Sequence, residues 1–143
     1  MICYAVIDTN VLVSALLSTH NDAATVQIVR KLFTGEIIPL FNKDILDEYN
    51  EVLRRRKFGF SHLLVMNLLK TIEACGQMVI TMPSGVVLPD MKDLPFYEVV
   101  LEKKDDGAYL VTGNTRHFPK EPFIVTANEL LEILEANKER NSQ

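Results

Sequence analysis

Five short apolar runs, Cys3–Ile7, Ile37–Phe41, Met78–Thr81, Tyr109–Thr112 and Phe123–Val125, alternate along the chain with stretches of helical periodicity. Runs of this size, rich in β-branched residues and lacking a polar face, suit strands covered on both sides. Between them, Val26, Ile28, Val29, Leu32 and Phe33 recur at helical spacing after a capping Asp22 and stop at Gly35. Asn42 can cap a helix to about Arg56 with Ile45, Tyr49, Val52 and Leu53 as its buried stripe, and a further helix runs from about Ser61 to Cys75. Leu94 to about Lys104 carries Pro95 in its first turn, and Thr126 with Glu129 has capping-box spacing for a last helix.

Strands alternating with helices imply right-handed crossovers and hence a three-layer α/β/α domain around a mostly parallel sheet of about five strands. In such sheets ligands bind at the carboxyl edge of the strands. The chain has 143 residues, 48% of them hydrophobic, which is enough for one core without disulfides or a structural metal. Residues 1–137 read as a single domain and 138–143 as a polar tail that frays after Asn137.

Cys3 and Cys75 have no metal-ligand spacing and sit among apolar residues, so both are expected to be buried, reduced thiols. The start, Met1–Ile7, is cut by Asp8 and has no basic leader, which leads to the expectation of a soluble, cytoplasmic protein. The formal net charge is -4. The molecule as a whole therefore does not attract nucleic acid, and any such contact must be local.

Three acids fall where that edge should be. Asp8 directly follows the most apolar run; capping the next helix is its alternative role. On a helical wheel Glu48 borders the stripe of Ile45 and Val52, whereas Asp44, Asp47 and Glu51 lie farther round; a salt bridge is its alternative. Asp93 lies one turn before Phe96 at the start of a helix, where an Asp can also be an N-cap. A parallel sheet brings these positions together, which the separate alternatives do not anticipate. Clustered carboxylates raise one another's pKa unless a cation offsets them, and hard oxygen donors favour Mg²⁺ or Mn²⁺ over Zn²⁺. Such an ion can activate water and neutralise charge on a phosphodiester.

At this point the chain resembles the PIN-domain family. The resemblance rests on Val6-Ile7-Asp8-Thr9-Asn10-Val11-Leu12, on Glu48-Tyr49-Asn50-Glu51-Val52-Leu53, on Asp90-x-x-Asp93 before Phe96, and on Leu110-Val111-Thr112-Gly113-Asn114. It implies a compact nuclease, dependent on Mg²⁺ or Mn²⁺, that cleaves single-stranded RNA as the toxin of a toxin-antitoxin pair, with homodimers and inhibition by a small antitoxin. Carried over by residue, Asp8, Glu48 and Asp93 are the catalytic metal-binding acids, Thr9 or Asn10 orients the first, and Asp90 is a reserve ligand. Asn114 stands where the family commonly has a fourth Asp, which keeps an oxygen donor and removes a charge, so the second metal site is in doubt. The implied site is one divalent ion on Asp8 and Asp93, with Glu48 direct or through water.

Substrate contacts are expected from Asn10, Thr112, Arg54, Arg55 and His117. The run Arg54-Arg55-Arg56-Lys57 could hold an RNA backbone, or could simply be favourable charge at a helix C-terminus. His117 could meet a phosphate or leaving group, or be structural. Other readings are a weakened PIN scaffold that binds RNA or protein, or an aspartate-dependent phosphatase. The phosphatase pattern fits less well, because its second motif Asp is here Asn10. A receiver domain needs a phosphoacceptor Asp after the third strand, where Pro83 and Ser84 stand.

Overall fold

The computed structural model of the chain describes residues 2–141. In chain order the elements are β1 (Cys3–Ile7), α1 (Thr9–Leu17), α2 (Ala24–Thr34), β2 (Ile37–Phe41), α3 (Lys43–Leu53), α4 (His62–Cys75), β3 (Gln77–Met78), α5 (Leu94–Lys103), β4 (Tyr109–Val111), β5 (Ile124–Val125) and α6 (Ala127–Asn141). The strands form one five-stranded sheet in the order β3-β2-β1-β4-β5, and every neighbouring pair is parallel. This is the three-layer α/β/α arrangement expected from the alternating runs.

Winding direction decides where a site can form. From β1 the chain steps outward to β2 and β3, then α5 carries it back to β4 on the other flank of β1, in register Val6 to Leu110. The order therefore reverses between β1 and β4, and a crevice opens at their carboxyl ends. Asp8 and Thr112 are the residues that leave those two strands there. The amide of Asp8 still bonds to the Val111 carbonyl at 2.9 Å, so the ladder fixes the backbone up to the acid itself.

The central strand is buried as its sequence requires, with Ala5, Val6 and Ile7 almost wholly enclosed. Leu12, Ile28, Leu32, Ile45, Leu53, Val99 and Val100 bring helical stripes against it. Each such Leu or Ile contributes about 1.5–3 kcal/mol through burial. The buried Tyr49 hydroxyl donates to the Ile7 carbonyl and its ring packs on Phe96, 6.1 Å between centroids. That pair ties α3 and α5 to the end of β1.

Caps follow the sequence closely at several helices. The side chains of Asn42 and Ser61 accept from the amides of Ile45 and Leu64, at 2.9 and 3.1 Å. Thr126 and Glu129 form the reciprocal capping box, and Gly35 ends α2 at φ 83°. Helix α2 begins after Ala23 instead of Asp22, whose carbonyl is taken by the Gln27 side chain at 2.7 Å. Helix α3 stops at Leu53, short of Arg56, because residues Arg56–Phe58 tighten into a 3₁₀ turn closed by Gly59 at φ 67°.

The third strand is shorter than the run Met78–Thr81. Val79 still donates to the Phe41 carbonyl, but Ile80 is 88% exposed, and the amides of Met82 and Ser84 turn to the carboxylates of Glu102 and Glu98 on α5. Cys75 is exposed, at the end of α4 on its solvent side, while Cys3 is buried as expected and its thiol is pushed up to about 11 by burial. Helix α6 continues past Asn137 to Asn141, and Lys138 reaches Glu36 at 3.7 Å; residues 142 and 143 of the expected tail lie outside the described residues. Among the described residues, no helix is long and apolar enough to cross a membrane.

Candidate active site

Asp8 is 5% exposed and heads α1 without capping it by its side chain. One carboxylate oxygen, Oδ2, accepts both the Thr112 hydroxyl at 2.8 Å and the Asn10 amide at 3.1 Å. Asn10 is gripped at its other end as well, where its Oδ1 accepts the Gly113 amide at 3.0 Å. A Cβ on Gly113 would stand 3.3 Å from that oxygen, so a residue without a side chain favours the approach. Thr112 in turn accepts the Asn114 amide at 3.0 Å. Strand β4 and the first turn of α1 thus hold Asp8 through a closed set of bonds on Oδ2, and the backbone amides of Thr9 and Asn10 also favour its charged form.

Glu48 is half-buried on α3. It accepts the Thr9 hydroxyl at 2.6 Å through Oε2. Thr9 therefore positions the second acid and Asn10 the first. Asp93 is half-buried at the start of α5, where it also makes no cap bond; its Oδ2 meets His117 Nδ1 at 3.1 Å. Asp90 is exposed and accepts the Lys92 amide at 3.0 Å, which makes it the cap of the 3₁₀ turn Met91–Asp93.

Electrostatics links the acids. Burial pushes Asp8 up to about 6; the Thr112 hydrogen bond opposes the rise and the Asp93 carboxylate adds to it. Burial also raises Glu48, against the Thr9 bond, with help from Asp8, Glu51 and Asp90. Asp93 is raised by burial against the His117 bond, with Asp90 and Glu48 adding. The Tyr49 phenol is held well above its ordinary value by burial and then by Asp8 and Glu48. Among the described residues no Lys or Arg forms an ion pair with Asp8, Glu48 or Asp93. Among the described residues Glu48 makes no ion pair and Asp93 no cap bond, while the Asp8 carboxylate makes no regular cap bond but is favoured in its charged form by the Thr9 and Asn10 amides.

The acids share one neighbourhood, yet they are not gathered into a finished chelate. Among the described residues no group of three or more His, Cys, Asp and Glu side chains stands close enough to hold a metal ion. The donor chemistry fits a hard divalent cation: oxygen ligands, raised acids and no competing cation. Asp8, Asp93 and Glu48 could reach one with side-chain adjustments in Glu48 and Asp93, which are less confined than Asp8. Asn114 is exposed at the end of β4, and its side chain makes no hydrogen bond to the three acids among the described residues.

Of the expected substrate contacts, Asn10, Thr112 and His117 lie at the acids, each bonded to one of them. Arg54 and Arg55 are exposed and engaged locally. Arg54 bonds to Asn50 at 2.7 Å and to His62 at 2.6 Å, and Arg55 pairs with Glu51 at 3.6 Å. Sequence reasoning did not foresee that His117 touches Asp93, nor that Thr9 serves Glu48; neither pairing has a local spacing signal.

The family model for the PIN domain matches residues 4–116, a span that holds Asp8, Glu48, Asp93 and Asn114 and ends just before His117. The chain belongs to the PIN-domain family. PIN domains are generally nucleases, and the fold here is nuclease-like. Searches of curated proteins and of solved structures gave no match.

Proposed function

We propose that this PIN domain is a Mg²⁺- or Mn²⁺-dependent endoribonuclease that hydrolyses single-stranded RNA, with Asp8, Glu48 and Asp93 as its metal-binding acids. The observation that carries the reading is the set of three carboxylates around the β1/β4 crevice, all raised by burial and by one another, with no Lys or Arg paired to them among the described residues. A bound divalent ion supplies a more acidic water and charge neutralisation on the phosphodiester.

The chain's own groups set the geometry around that chemistry. Thr112 and Asn10 fix Asp8 through Oδ2, and Thr9 fixes Glu48 through Oε2. His117 occupies Oδ2 of Asp93, which turns the other oxygen free. Asn114 and Asp90 flank the crevice as reserve ligands or water-orienting groups. The family resemblance extends the reading to a cytoplasmic toxin held by a small antitoxin, and to a homodimer.

Incubation of labelled single-stranded RNA with purified protein across a Mn²⁺ and Mg²⁺ titration tests the reading. Cleavage that appears with metal, disappears with chelator and is abolished in Asp93→Asn is the expected outcome. Metal-independent cleavage, or release of phosphate from small esters instead, sinks it. One observation favours a second reading: with Asn114 as a neutral fourth residue and no finished three-ligand cluster among the described residues, a PIN scaffold that binds RNA without cutting it has the same features. RNA binding without cleavage at any metal concentration selects that scaffold.

A further inference from the structure

Side-chain hydrogen bonds orient the three carboxylates one by one: Thr112 and Asn10 hold Asp8, Thr9 holds Glu48 and His117 holds Asp93. None of these bonds joins α3 or α5 to the strand that ends before Asp8. Tyr49 does. It is the residue after Glu48 and the largest fully buried side chain among the described residues. Its hydroxyl donates to the carbonyl of Ile7, the residue before Asp8. Its ring packs against Phe96, one turn into α5 from Asp93, with 6.1 Å between centroids. A single side chain therefore connects the immediate surroundings of all three acids.

The hydroxyl goes where the sheet stops supplying donors. Backbone groups of successive strand residues face opposite neighbours. The Asp8 amide faces β4, where it meets Val111, so the Ile7 carbonyl faces β2. Pairing of β1 with β2 runs from Cys3 to Ala5 and ends short of Ile7. The phenol supplies the donor that a longer β2 ladder would have given. A phenylalanine would fill the same space and pack on Phe96 as well; the hydroxyl adds one bond, and that bond ends on the backbone that carries Asp8.

A cation shared by three elements needs its ligands held within about 0.5 Å of their working positions. We propose that Tyr49 is a positioning residue of the metal site: its hydroxyl on Ile7 and its ring on Phe96 set the separation at which Asp8, Glu48 and Asp93 share one divalent ion. Tyr49 takes no part in the chemistry itself, because it is enclosed and its hydroxyl is committed to the backbone. The proposal rests on the metal-dependent reading of the crevice and deepens it.

Tyr49→Phe keeps the ring and deletes the hydroxyl. Mn²⁺ binding, followed by calorimetry without RNA, should weaken by roughly tenfold to a hundredfold, as for loss of an outer partner of metal ligands. RNA cleavage at saturating Mn²⁺ should lose kcat with KM little changed. Replacing Tyr49 by para-aminophenylalanine puts an N–H donor where the hydroxyl was and should restore the affinity. Ile72→Val trims a buried side chain of α4, which carries none of the acids or their partners; it should lower the urea midpoint and leave Mn²⁺ affinity unchanged. A Tyr49→Phe protein that binds Mn²⁺ and cuts RNA like the unaltered one overturns the inference and leaves the nuclease reading standing. So does a loss of affinity that the para-amino variant fails to restore, or one that Ile72→Val reproduces. Should Tyr49→Phe fail to fold, Phe96→Leu, which keeps the hydroxyl and loosens the ring contact, carries the same titration: weaker Mn²⁺ binding supports the inference and unchanged binding overturns it. An unaltered protein that binds no Mn²⁺ removes this inference and the metal-dependent reading together. One that binds Mn²⁺ without cutting RNA removes the nuclease reading alone, and the affinity comparison still decides the role of Tyr49.

Discussion

Replacing Asp8 by Asn should make the metal-free protein more stable at neutral pH while removing its metal response. The carboxyl is 5% exposed and is pushed from 3.8 to about 6, first by burial. A raised acid binds more protons folded than unfolded through that interval, so stability falls as pH climbs from about 4 to about 6 and stays lowered above it. The rise corresponds to an upper limit of about 3 kcal/mol at pH 7. Asn keeps an acceptor for Thr112 and Asn10, since both bonds fall on the single oxygen Oδ2. The amide loses the charge-assisted part of those bonds, so a net gain of about 1–2 kcal/mol is expected. Urea unfolding in chelator at pH 7.5 and at pH 4 measures it. The Asn variant should unfold later at pH 7.5, and the gap should close at pH 4. Adding Mn²⁺ should then stabilise only the unaltered protein. An Asn variant that is less stable at pH 7.5 in chelator, or a gap that does not shrink on acidification, would refute the claim that Asp8 carries an uncompensated buried charge.

Three further substitutions probe the supports. Thr112→Val deletes the shortest hydrogen bond to Asp8 and should lower Mn²⁺ affinity by roughly tenfold to a hundredfold in calorimetric titration. His117→Ala frees Asp93 Oδ2 and should weaken Mn²⁺ binding by a similar factor with little change in urea midpoint; an unchanged affinity removes His117 from the site. Gly76→Ala places a Cβ against the Pro39 carbonyl and 2.6 Å from the Ile72 carbonyl, backbone that cannot yield locally, so a loss of roughly 2 kcal/mol or more is expected by chemical denaturation.

The alternation of apolar runs with amphipathic stretches was enough to read the parallel sheet and most of its helices. Helix α1 escaped that reading because Val11 to Leu17 is interrupted only by Ser14, which leaves no polar face to show a period. Val79 to Thr81 has strand composition, yet the third strand ends at Met78, because the carboxylates of Glu98 and Glu102, distant in sequence, draw the following backbone away from the edge. The positions of the acids were legible, since a strand end and a stripe border are local features. Their partners were not. Thr9 with Glu48, Thr112 with Asp8 and His117 with Asp93 are separated by 39, 104 and 24 residues, and only the packed sheet brings them together. The exposure of Cys75 was likewise hidden, because apolar neighbours in sequence need not share its side of α4.

Everything functional depends on whether one hard cation is shared across the crevice at the ends of β1 and β4. Anomalous diffraction from crystals grown with Mn²⁺ addresses this directly. The expected result is a single strong peak bonded to Asp8 Oδ1 and an Asp93 oxygen, with Glu48 in direct contact or one water away. A crystal saturated with Mn²⁺ that shows no peak at these acids, or shows its ion on other residues, would contradict the account.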